Sequence, residues 1–336
     1  MLLNKLFFLF VIITFVSLQG KAQKADNVTI AFYNCENFFD IVHNPVKEDE
    51  EFTPAGKYHY TQKIYEQKLH NIATVIQSMN GPAIIGLAEI ENPTVLNDLV
   101  RQPEIARSNY KYEWFNGPDP RGINVAMLYD PKHFKVLVAE PLKVDLSYIA
   151  SNSHTRDVLY TCGVLDGDTV YVFVNHWPSN RGEDSPQKRL KAAEVNLAAV
   201  RALNVKHPDA KVIIMGDFND NPLGDLMNRV MGANSIRSSV TGTHLYNPFG
   251  EKFINGEGTE IYQHKWNLFD MIIVSGSLLE NKKHGLQYKD AKIFKPDFLI
   301  DHYKGHEGEP KRSFVGTHWI NGYSDHFPVI LYLSKN

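Results

Sequence analysis

The feature that constrains this sequence most is a series of short, nearly unbroken apolar runs along its whole length. The runs with the length and composition of β-strands are residues 28–33, 83–88, 123–129, 158–165, 169–175, 211–216, 271–274 and 327–333. Several of them lack the apolar–polar alternation of a strand that has one solvated face. They therefore predict strands buried on both faces, as in the central sheets of layered α/β proteins.

Two segments between these runs have the periodicity of amphipathic helices. In the first, Thr61 is expected as the N-cap and residues 80–82 (Asn-Gly-Pro) as the stop. Its apolar face consists of Tyr65, Leu69, Ile72, Ile76 and Met79. In the second, Ser185 is expected as the N-cap and Pro186 at the first helical position. Its apolar face consists of Leu190, Ala193, Leu197 and Val200. Helices and buried strands alternate, which predicts one layered α/β domain over residues 23–336.

The first 22 residues have the pattern of a secretory signal peptide. Lys5 provides the positive charge, residues 6–18 form an uncharged apolar run, and Gly20 and Ala22 are the small residues of a cleavage site near Ala22. The run is shorter than the ~20 residues that a membrane span needs. No cysteine follows it, which argues against a lipoprotein anchor. The sequence thus predicts a secreted or periplasmic protein, a monomer with no stable membrane anchor.

Charge and cysteine content exclude some classes of protein and leave others open. The formal net charge is −3, and removal of Lys5 and Lys21 with the signal peptide takes it to −5. No basic tail supports nucleic-acid binding, although a local basic groove beside a metal would suffice. Cys35 and Cys162 both lie in strand-like segments and are expected as buried thiols rather than a disulfide framework. Residues 240–265 and 296–314 have the composition of long surface loops.

Polar side chains occur where the predicted strands begin or end. They are Asn34 and Glu36, Glu89 and Glu91, His176, Asp217 and Asn219, Asp270, and the pair Asp325-His326. Asn34 and Glu36 are two residues apart, as are Asp217 and Asn219, so each pair is expected on one face of its strand. Gly216 is expected to allow a sharp turn before Asp217. Each cluster alone has an ordinary structural explanation, such as a turn residue, but the whole set in this order favours a catalytic site.

The order of these clusters resembles the endonuclease/exonuclease/phosphatase family from residue 28 to residue 329, nearly the whole mature chain. The matching segments are Asn34-Cys35-Glu36, Glu89, Asn175-His176-Trp177, residues 216–219 (Gly-Asp-Phe-Asn), residues 269–274 (Phe-Asp-Met-Ile-Ile-Val) and residues 324–328 (Ser-Asp-His-Phe-Pro). The closing Ser-Asp-His-x-Pro is the most specific of them. The resemblance implies a four-layer αββα sandwich, in which two packed, mixed or antiparallel sheets are flanked by helices.

The resemblance also implies metal-assisted hydrolysis of a phosphate ester. By similarity, the Mg²⁺ ligands are Glu36, Glu89 and Asp325, with Mn²⁺ or Ca²⁺ as possible substitutes, and Asn34, which lies nearby, is expected to bind the substrate phosphate. Asp217 is expected to activate or orient the attacking water, and Asn219 to bind a phosphate oxygen. His326 is expected as an acid/base or phosphate-binding group that Asp270 orients. His176 is expected to donate to a phosphate oxygen or to the leaving group.

Two arginines complete the set that the resemblance suggests for phosphate binding. Arg156 matches a family arginine at the start of a sheet strand, and Arg121 precedes a strand that borders the site. For Arg121, a surface salt bridge is an equally good interpretation. One departure stands out, since deoxyribonuclease-like members have a glutamate that orients the first histidine where this chain has Ile123. The group that orients His176 is therefore left open.

Three functions are compatible with these observations. The leading interpretation is a secreted Mg²⁺-dependent nuclease that cleaves DNA or RNA. The second is a phosphatase or phospholipid phosphodiesterase that acts on inositol phosphates or sphingomyelin, although no clearly aromatic membrane-binding hairpin is visible. The third is a binding module with an inactive site, against which the complete acid and histidine set argues. The shared residues handle only the phosphate, so they leave the substrate open.

Overall fold

The protein is described from a computed structural model that covers residues 27–150, 153–179, 182–280 and 285–335. The predicted signal peptide and its cleavage point near Ala22 lie outside these residues. Within them, no helix has the length and apolarity needed to cross a membrane.

Strands account for most of the regular structure in the described residues. They are β1 (Asn27–Phe38), β2 (Ile84–Ile90), β3 (Lys111–Trp114), β4 (Asn124–Tyr129), β5 (Phe134–Leu142), β6 (Val158–Leu165), β7 (Asp168–His176), β8 (Lys211–Asp217), β9 (Ala233–Asn234), β10 (Leu245–Tyr246), β11 (Glu260–Tyr262), β12 (Lys265–Asn267), β13 (Asp270–Ser275), β14 (Leu286–Ile293), β15 (Phe314–Val315), β16 (His318–Trp319) and β17 (Val329–Lys335). Each apolar run singled out in the sequence forms one of these strands.

The strands form two large mixed sheets and two small hairpins. The first sheet has the order β14-β17-β1-β2-β4-β3, and the second has the order β5-β6-β7-β8-β13-β10-β9. Parallel pairing is confined to β1 with β2, β7 with β8, and β9 with β10. The hairpins are β11–β12 and β15–β16. Helices flank the two sheets, which confirms the α/β sandwich that the resemblance implied.

The helices are α1 (Gln62–Ser78), α2 (Pro93–Val100), α3 (Ser185–Lys206) and the single turn α4 (Gly250–Ile254). Short 3-10 turns occupy Glu50–Phe52, Ala106–Ser108, Arg237–Ser239, Gly276–Leu278 and Asp297–Leu299, and a π turn occupies Leu226–Val230. Helix α1 follows Thr61, the expected N-cap position, although the Thr61 side chain makes no capping hydrogen bond.

Helix α3 differs from the prediction at its start and on its buried face. Ser185 is the first helical residue rather than the N-cap, a position that Asp184 takes, and the Ser185 hydroxyl donates to the carbonyl of Ser179 at 2.8 Å. Leu190 is 36% exposed. Ala193 and Val200 of the predicted face are buried, and the buried Asn196 beside them donates to a side chain of β7.

The core lies between the two sheets, where β1 and β2 pack against β7, β8 and β13. The two sheets approach each other closely at Gly86 of β2. A Cβ atom there would lie 2.5 Å from Met215 Sδ of the opposite sheet and 2.9 Å from Phe32 Cδ2. Glycine is therefore needed at this point for the sheets to pack.

Two predictions about loops and cysteines need correction. Residues 240–265 are not a simple surface loop, because they contain β10, α4 and β11 and bury Leu245, Phe249 and Thr259. Their Gly, Asn and Thr content obscured these short elements. Both cysteines are free thiols, and Cys35 is fully buried, whereas Cys162 is only partly buried.

Candidate active site

The sheet topology brings the sequence-predicted residues to one end of the sandwich. Because β1 is parallel to β2, and β7 to β8, their carboxyl ends lie at this end of each sheet. Strands β13 and β17 run antiparallel to their neighbours β8 and β1, so they begin there. As a result, Asp217 is in register with His176 on one side and with Asp270 on the other. The pair Asp325-His326 immediately precedes β17.

Left-handed backbone conformations shape the ends of the first sheet. Glu36 and Glu89 have φ angles of 50° and 62°, and Asn37 has 53°. Such angles are uncommon for residues other than glycine and occur at strained or functional positions. They interrupt the strand alternation, so the two-residue spacing of Asn34 and Glu36 does not place them simply on one face. The Asn34 Oδ1 instead accepts the backbone N–H of Glu36 at 3.0 Å.

At the end of β8, Asp217 and Asn219 likewise do not lie on one face of the strand, contrary to the sequence prediction. Asn219 lies beyond the strand with φ 47°, and its backbone N–H donates to Asp217 Oδ1 at 3.0 Å. Its side-chain amide donates to the Trp177 carbonyl at 3.0 Å. Gly216 does not make a turn: it lies within β8, where a Cβ atom would be 2.5 Å from Asn175 Cβ. Glycine at 216 therefore allows β7 and β8 to pair closely beside the site.

Asp217 is the central carboxylate of the site. Its Oδ2 accepts a hydrogen bond from Asn34 Nδ2 at 3.0 Å, which joins the two sheets. The same oxygen lies 3.6 Å from His176 Nε2 and 3.9 Å from His326 Nε2. Burial raises the pKa of Asp217 to about 7, although the neighbouring His326 acts in the opposite direction. One acid thus faces two imidazoles within a buried setting.

Asp270 holds His326 in a fixed orientation. His326 Nδ1 lies 2.7 Å from Asp270 Oδ2, and Asp270 is fully buried. This contact assigns the proton to Nδ1, which leaves Nε2 directed towards the groove near Asp217. Burial alone would lower the pKa of His326, but the carboxylates of Asp270, Asp217 and Asp325 outweigh it and hold this pKa well above its ordinary value. These charges therefore favour the protonated form of His326.

The three predicted metal ligands are all oxygen donors at the mouth of the first sheet. Glu36 Oε2 accepts the backbone N–H of Ser313 at 2.7 Å, and Glu89 Oε2 accepts that of Asn37 at 2.6 Å. The side chain of Asp325 is 37% exposed. Burial first, and then the negative charge of Asp325, raise the pKa of Glu36 to about 7. Oxygen donors of this kind suit a hard divalent cation.

These three carboxylates are less tightly clustered than another set in the site. Among the described residues, ligand atoms of Asp217, Asp270 and His326 lie within 4.8 Å of one another, whereas Glu36, Glu89 and Asp325 do not form so close a group. The tighter set is already joined by the Asp270–His326 hydrogen bond. Glu36 and Glu89 are instead held by backbone N–H groups from separate segments, which keeps them apart.

A buried lysine that the sequence analysis missed supports Glu36. Lys68 of α1 is fully buried, and its Nζ donates to the Glu36 carbonyl at 2.6 Å and to Ser313 Oγ at 2.8 Å. Ser313 in turn holds the Glu36 carboxylate. Burial lowers the pKa of Lys68, and the negative charge of Glu36 opposes that change. The signal was a lysine beside the apolar stripe of a predicted helix, but nothing in the pattern named its partner.

His176 has no hydrogen-bond partner at Nδ1 among the described residues, and this atom is buried. Its Nε2 lies 3.9 Å from Glu89 Oε1. Burial, followed by the positive charges of Arg156 and Arg121, lowers the pKa of His176 well below its ordinary value. These effects favour the neutral form of this imidazole. Ile123, where the family departure was noted, is fully buried and offers no hydrogen-bonding group.

The two predicted phosphate-binding arginines have different settings. Arg156 is buried, and it donates to Asp119 Oδ2 at 2.8 Å and to the carbonyls of His176 and Trp177 at 3.1 and 2.7 Å. It thereby anchors the segment that carries His176. Arg121 is 46% exposed, and its Nε lies 3.7 Å from Asp119 Oδ1. Asp119, which the sequence analysis also missed, links the two arginines.

Most of these groups line one groove of about 610 Å³, whereas Asn34, Glu36 and Asp270 lie behind its lining. His176, Asp217, Asn219, Asp325 and His326 line its floor. Its walls come from the segment around Arg121, the start of α3 at Lys188, and the hairpin β11–β12. The volume lies within the range of small-molecule and cofactor sites. The floor carries carboxylates and two histidines, whereas the walls carry basic side chains (Arg121, Lys188 and Lys265) together with the acidic Asp119 and Glu260.

Comparison with known proteins gives one family and several similar folds. Residues 29–335 match the model of the Endonuclease/Exonuclease/phosphatase family. A search of curated proteins finds no significant match to this chain. Among solved structures, an endonuclease/exonuclease/phosphatase family protein from Bacteroides thetaiotaomicron is 15% identical, with a TM-score of 0.59 over 93% of this chain and 99% of that one.

Two further solved structures have a similar fold. The human Nocturnin catalytic domain with bound sulfate anion is 15% identical, with a TM-score of 0.56 over 92% of this chain and 95% of that chain. The D. rerio TDP2 complexed with single strand DNA product is 14% identical, with a TM-score of 0.55 over 91% of this chain and 98% of that chain. These likenesses support the sandwich fold.

Proposed function

Since this chain belongs to the endonuclease/exonuclease/phosphatase family over residues 29–335, we propose that it is a Mg²⁺-dependent nuclease that cleaves phosphodiester bonds of DNA or RNA. Membership makes it a metal-dependent hydrolase of phosphoric ester bonds, and the choice of nucleic acid is the proposal. The observation that carries it is Asp217 within 4 Å of both imidazoles, one of them locked by Asp270.

We assign Mg²⁺ to Glu36, Glu89 and Asp325, because they form an all-oxygen donor set in which the negative charge of Asp325 raises the pKa of Glu36. A bound Mg²⁺ supplies Lewis-acid polarisation of a phosphate oxygen. Mn²⁺ or Ca²⁺ fits the same donors. We assign acid–base roles to the tighter group of Asp217, Asp270 and His326, since Asp270 and His326 are already hydrogen-bonded to each other and Asp217 Oδ2 lies 3.9 Å from His326 Nε2.

The remaining groups act on the substrate directly. Asp217 orients a water molecule and accepts its proton, because two N–H donors fix the carboxylate and leave it facing the groove. His326, as an imidazolium, binds a phosphate oxygen and stabilises the charge that develops there. His176, which is neutral, donates a ring N–H to a phosphate oxygen or the leaving group. Asn219 also lines the groove and is assigned to bind a phosphate oxygen.

Arg121 and Arg156 have different roles in phosphate binding. Arg121 is half-exposed on the groove wall and is assigned to bind phosphate. Arg156 contributes charge but mainly positions the His176 backbone. The D. rerio TDP2 structure, which holds a single strand DNA product on a similar fold, supports a nucleic-acid substrate. The sulfate anion on human Nocturnin supports a site for a tetrahedral oxyanion.

Hydrolysis of supercoiled plasmid and of a single-stranded oligonucleotide by purified residues 23–336 tests this function. We expect cleavage with Mg²⁺, none with EDTA, and none in His326→Ala. His133→Ala is a matched control, since His133 Nδ1 also pairs with an aspartate (Asp166, at 3.1 Å) but does not line the groove. The protein could instead cleave neither nucleic acid but release phosphate from an inositol phosphate or phosphocholine from sphingomyelin. That result would replace the nuclease assignment with the substrate that is cleaved.

We further propose that the protein is exported as a monomer after cleavage near Ala22. The support is the sequence pattern of residues 1–22. N-terminal sequencing of the exported protein checks the cleavage, and an intact Met1 would rule it out. Light scattering of the purified protein checks the monomer, and a dimer mass would contradict it.

A further inference from the structure

The hairpin β11–β12 presents one polar face to the groove. Glu260 is paired with Asn267, and Tyr262 with Lys265. Residues directly opposite in an antiparallel pair share a face, so these four side chains lie together. All four line the groove. Trp266, on the other face, stacks on Phe327 with ring centroids 6.2 Å apart.

This hairpin is fixed to the catalytic segment rather than loose. Glu260 forms an isolated bridge with His326, and the Phe327 N–H donates to the Thr259 carbonyl at 2.8 Å. The turn residues Gln263 and His264 both have left-handed φ angles, 50° and 62°, as a tight two-residue hairpin turn requires. The groove-facing side chains are therefore held in a set relation to His326.

Tyr262 is unusual on this face because it is aromatic and 53% exposed. Exposed aromatic rings beside a polar, charged groove suit stacking against a flat ring, and nucleobases stack on such platforms regardless of sequence. Lys265 lies directly across the hairpin from it, and Lys188 and Arg121 line the facing walls. A ring and a cation on adjacent positions match the base and the phosphate of one nucleotide.

We propose that Tyr262 stacks on an unpaired base next to the scissile phosphate, which makes single-stranded nucleic acid the preferred substrate. This rests on the proposed nuclease function and goes beyond it by naming the strand form and a specificity residue. A base inside a duplex stacks on its neighbours and cannot offer its face to the side chain. Lys265 binds the phosphate of the same nucleotide.

The test compares Tyr262→Ala, Tyr262→Trp and wild type on two oligomers of equal length with Mg²⁺. One is a single-stranded oligonucleotide, and the other carries a tetrahydrofuran abasic unit at every position. We expect Tyr262→Ala to lose about 5- to 100-fold in kcat/KM on the normal oligomer, in line with base–aromatic stacking. On the abasic oligomer it should match wild type, and Tyr262→Trp should keep most activity on both. Tyr303→Ala, at a tyrosine 75% exposed outside the groove, is the control.

The outcomes separate this inference from the nuclease function. If wild type cleaves both oligomers and Tyr262→Ala equals it on the normal one, stacking is refuted while the nuclease function stands. An equal loss on both oligomers also refutes stacking, because the effect would not depend on the base. If wild type cleaves no oligonucleotide in any form, the nuclease function fails and the stacking inference fails with it.

Discussion

Replacement of Asp270 by Asn tests whether Asp270 keeps His326 protonated for catalysis. The two groups are 2.7 Å apart and both buried. Asn has almost the same shape, so the substitution removes a charge without opening a cavity. The pair lies outside the proposed Mg²⁺ ligands, so the change acts on His326 and, through the charge of Asp270, on the pKa of Asp217.

The expected loss follows from the strength of this contact. A hydrogen bond to a charged group contributes roughly 1.5–3 kcal/mol, which corresponds to a 10- to 150-fold fall in kcat if the imidazolium matters in the transition state. Stability should change little. Asp270 Oδ1 is buried and has no partner among the described residues, so loss of its charge also removes a desolvation penalty.

The assay is the pH dependence of kcat on the single-stranded oligonucleotide at saturating Mg²⁺. Because carboxylates hold the pKa of His326 well above its ordinary value, the wild-type imidazolium persists to alkaline pH. Without the charge of Asp270 the pKa falls, so the alkaline limb of the profile should move to lower pH. Asp166→Asn, at the exposed His133–Asp166 pair, is the control. An unchanged kcat, or an alkaline limb that stays in place, would refute this assignment.

Three further changes test other parts of the structure. Lys68→Met should weaken Mg²⁺ binding in calorimetry by about 10- to 100-fold, because Glu36 loses its support; equal or tighter binding would contradict this. Burial raises the pKa of Glu91 from 4.5 to about 7, so the folded state keeps a proton that the unfolded state releases, and stability falls as pH rises between these values. Glu91→Gln should therefore match wild type near pH 4.5 and exceed it by about 3 kcal/mol above pH 7 in urea unfolding. Gly86→Ala should cost about 1–3 kcal/mol, since its Cβ would meet Met215, and an unchanged midpoint would show that the sheets yield.

The strands and the identity of the site were predictable because both depend on local sequence. Strands buried on two faces, such as β8, must be continuous apolar runs, and the polar residue that ends each run is visible in the sequence. The pairing that makes His176 and Asp270 neighbours of Asp217 is not visible, because register and direction depend on contacts far apart in the chain.

The local geometry of the ligands was also beyond sequence reasoning. Glu36 and Glu89 have left-handed φ angles, and their carboxylates accept hydrogen bonds from Ser313 and Asn37, neither of which has a recognisable sequence pattern. The helix face of Lys68 does not reveal that its ammonium reaches Glu36. Hairpin β11–β12 was missed because three-residue strands around a turn carry too little periodicity to detect.

The hydrogen bond from Asn34 to Asp217 crosses from one sheet to the other, as does the one between His326 and Asp270. The reacting groups are therefore divided between the two sheets, and the apolar core between the sheets sets the distance between the two groups of residues. We expect heating that loosens this core to separate the two groups of residues while each sheet keeps its own backbone hydrogen bonds. Turnover should consequently be lost at a lower temperature than the far-ultraviolet circular dichroism signal. For the same reason, neither sheet alone contains the complete set of reacting groups.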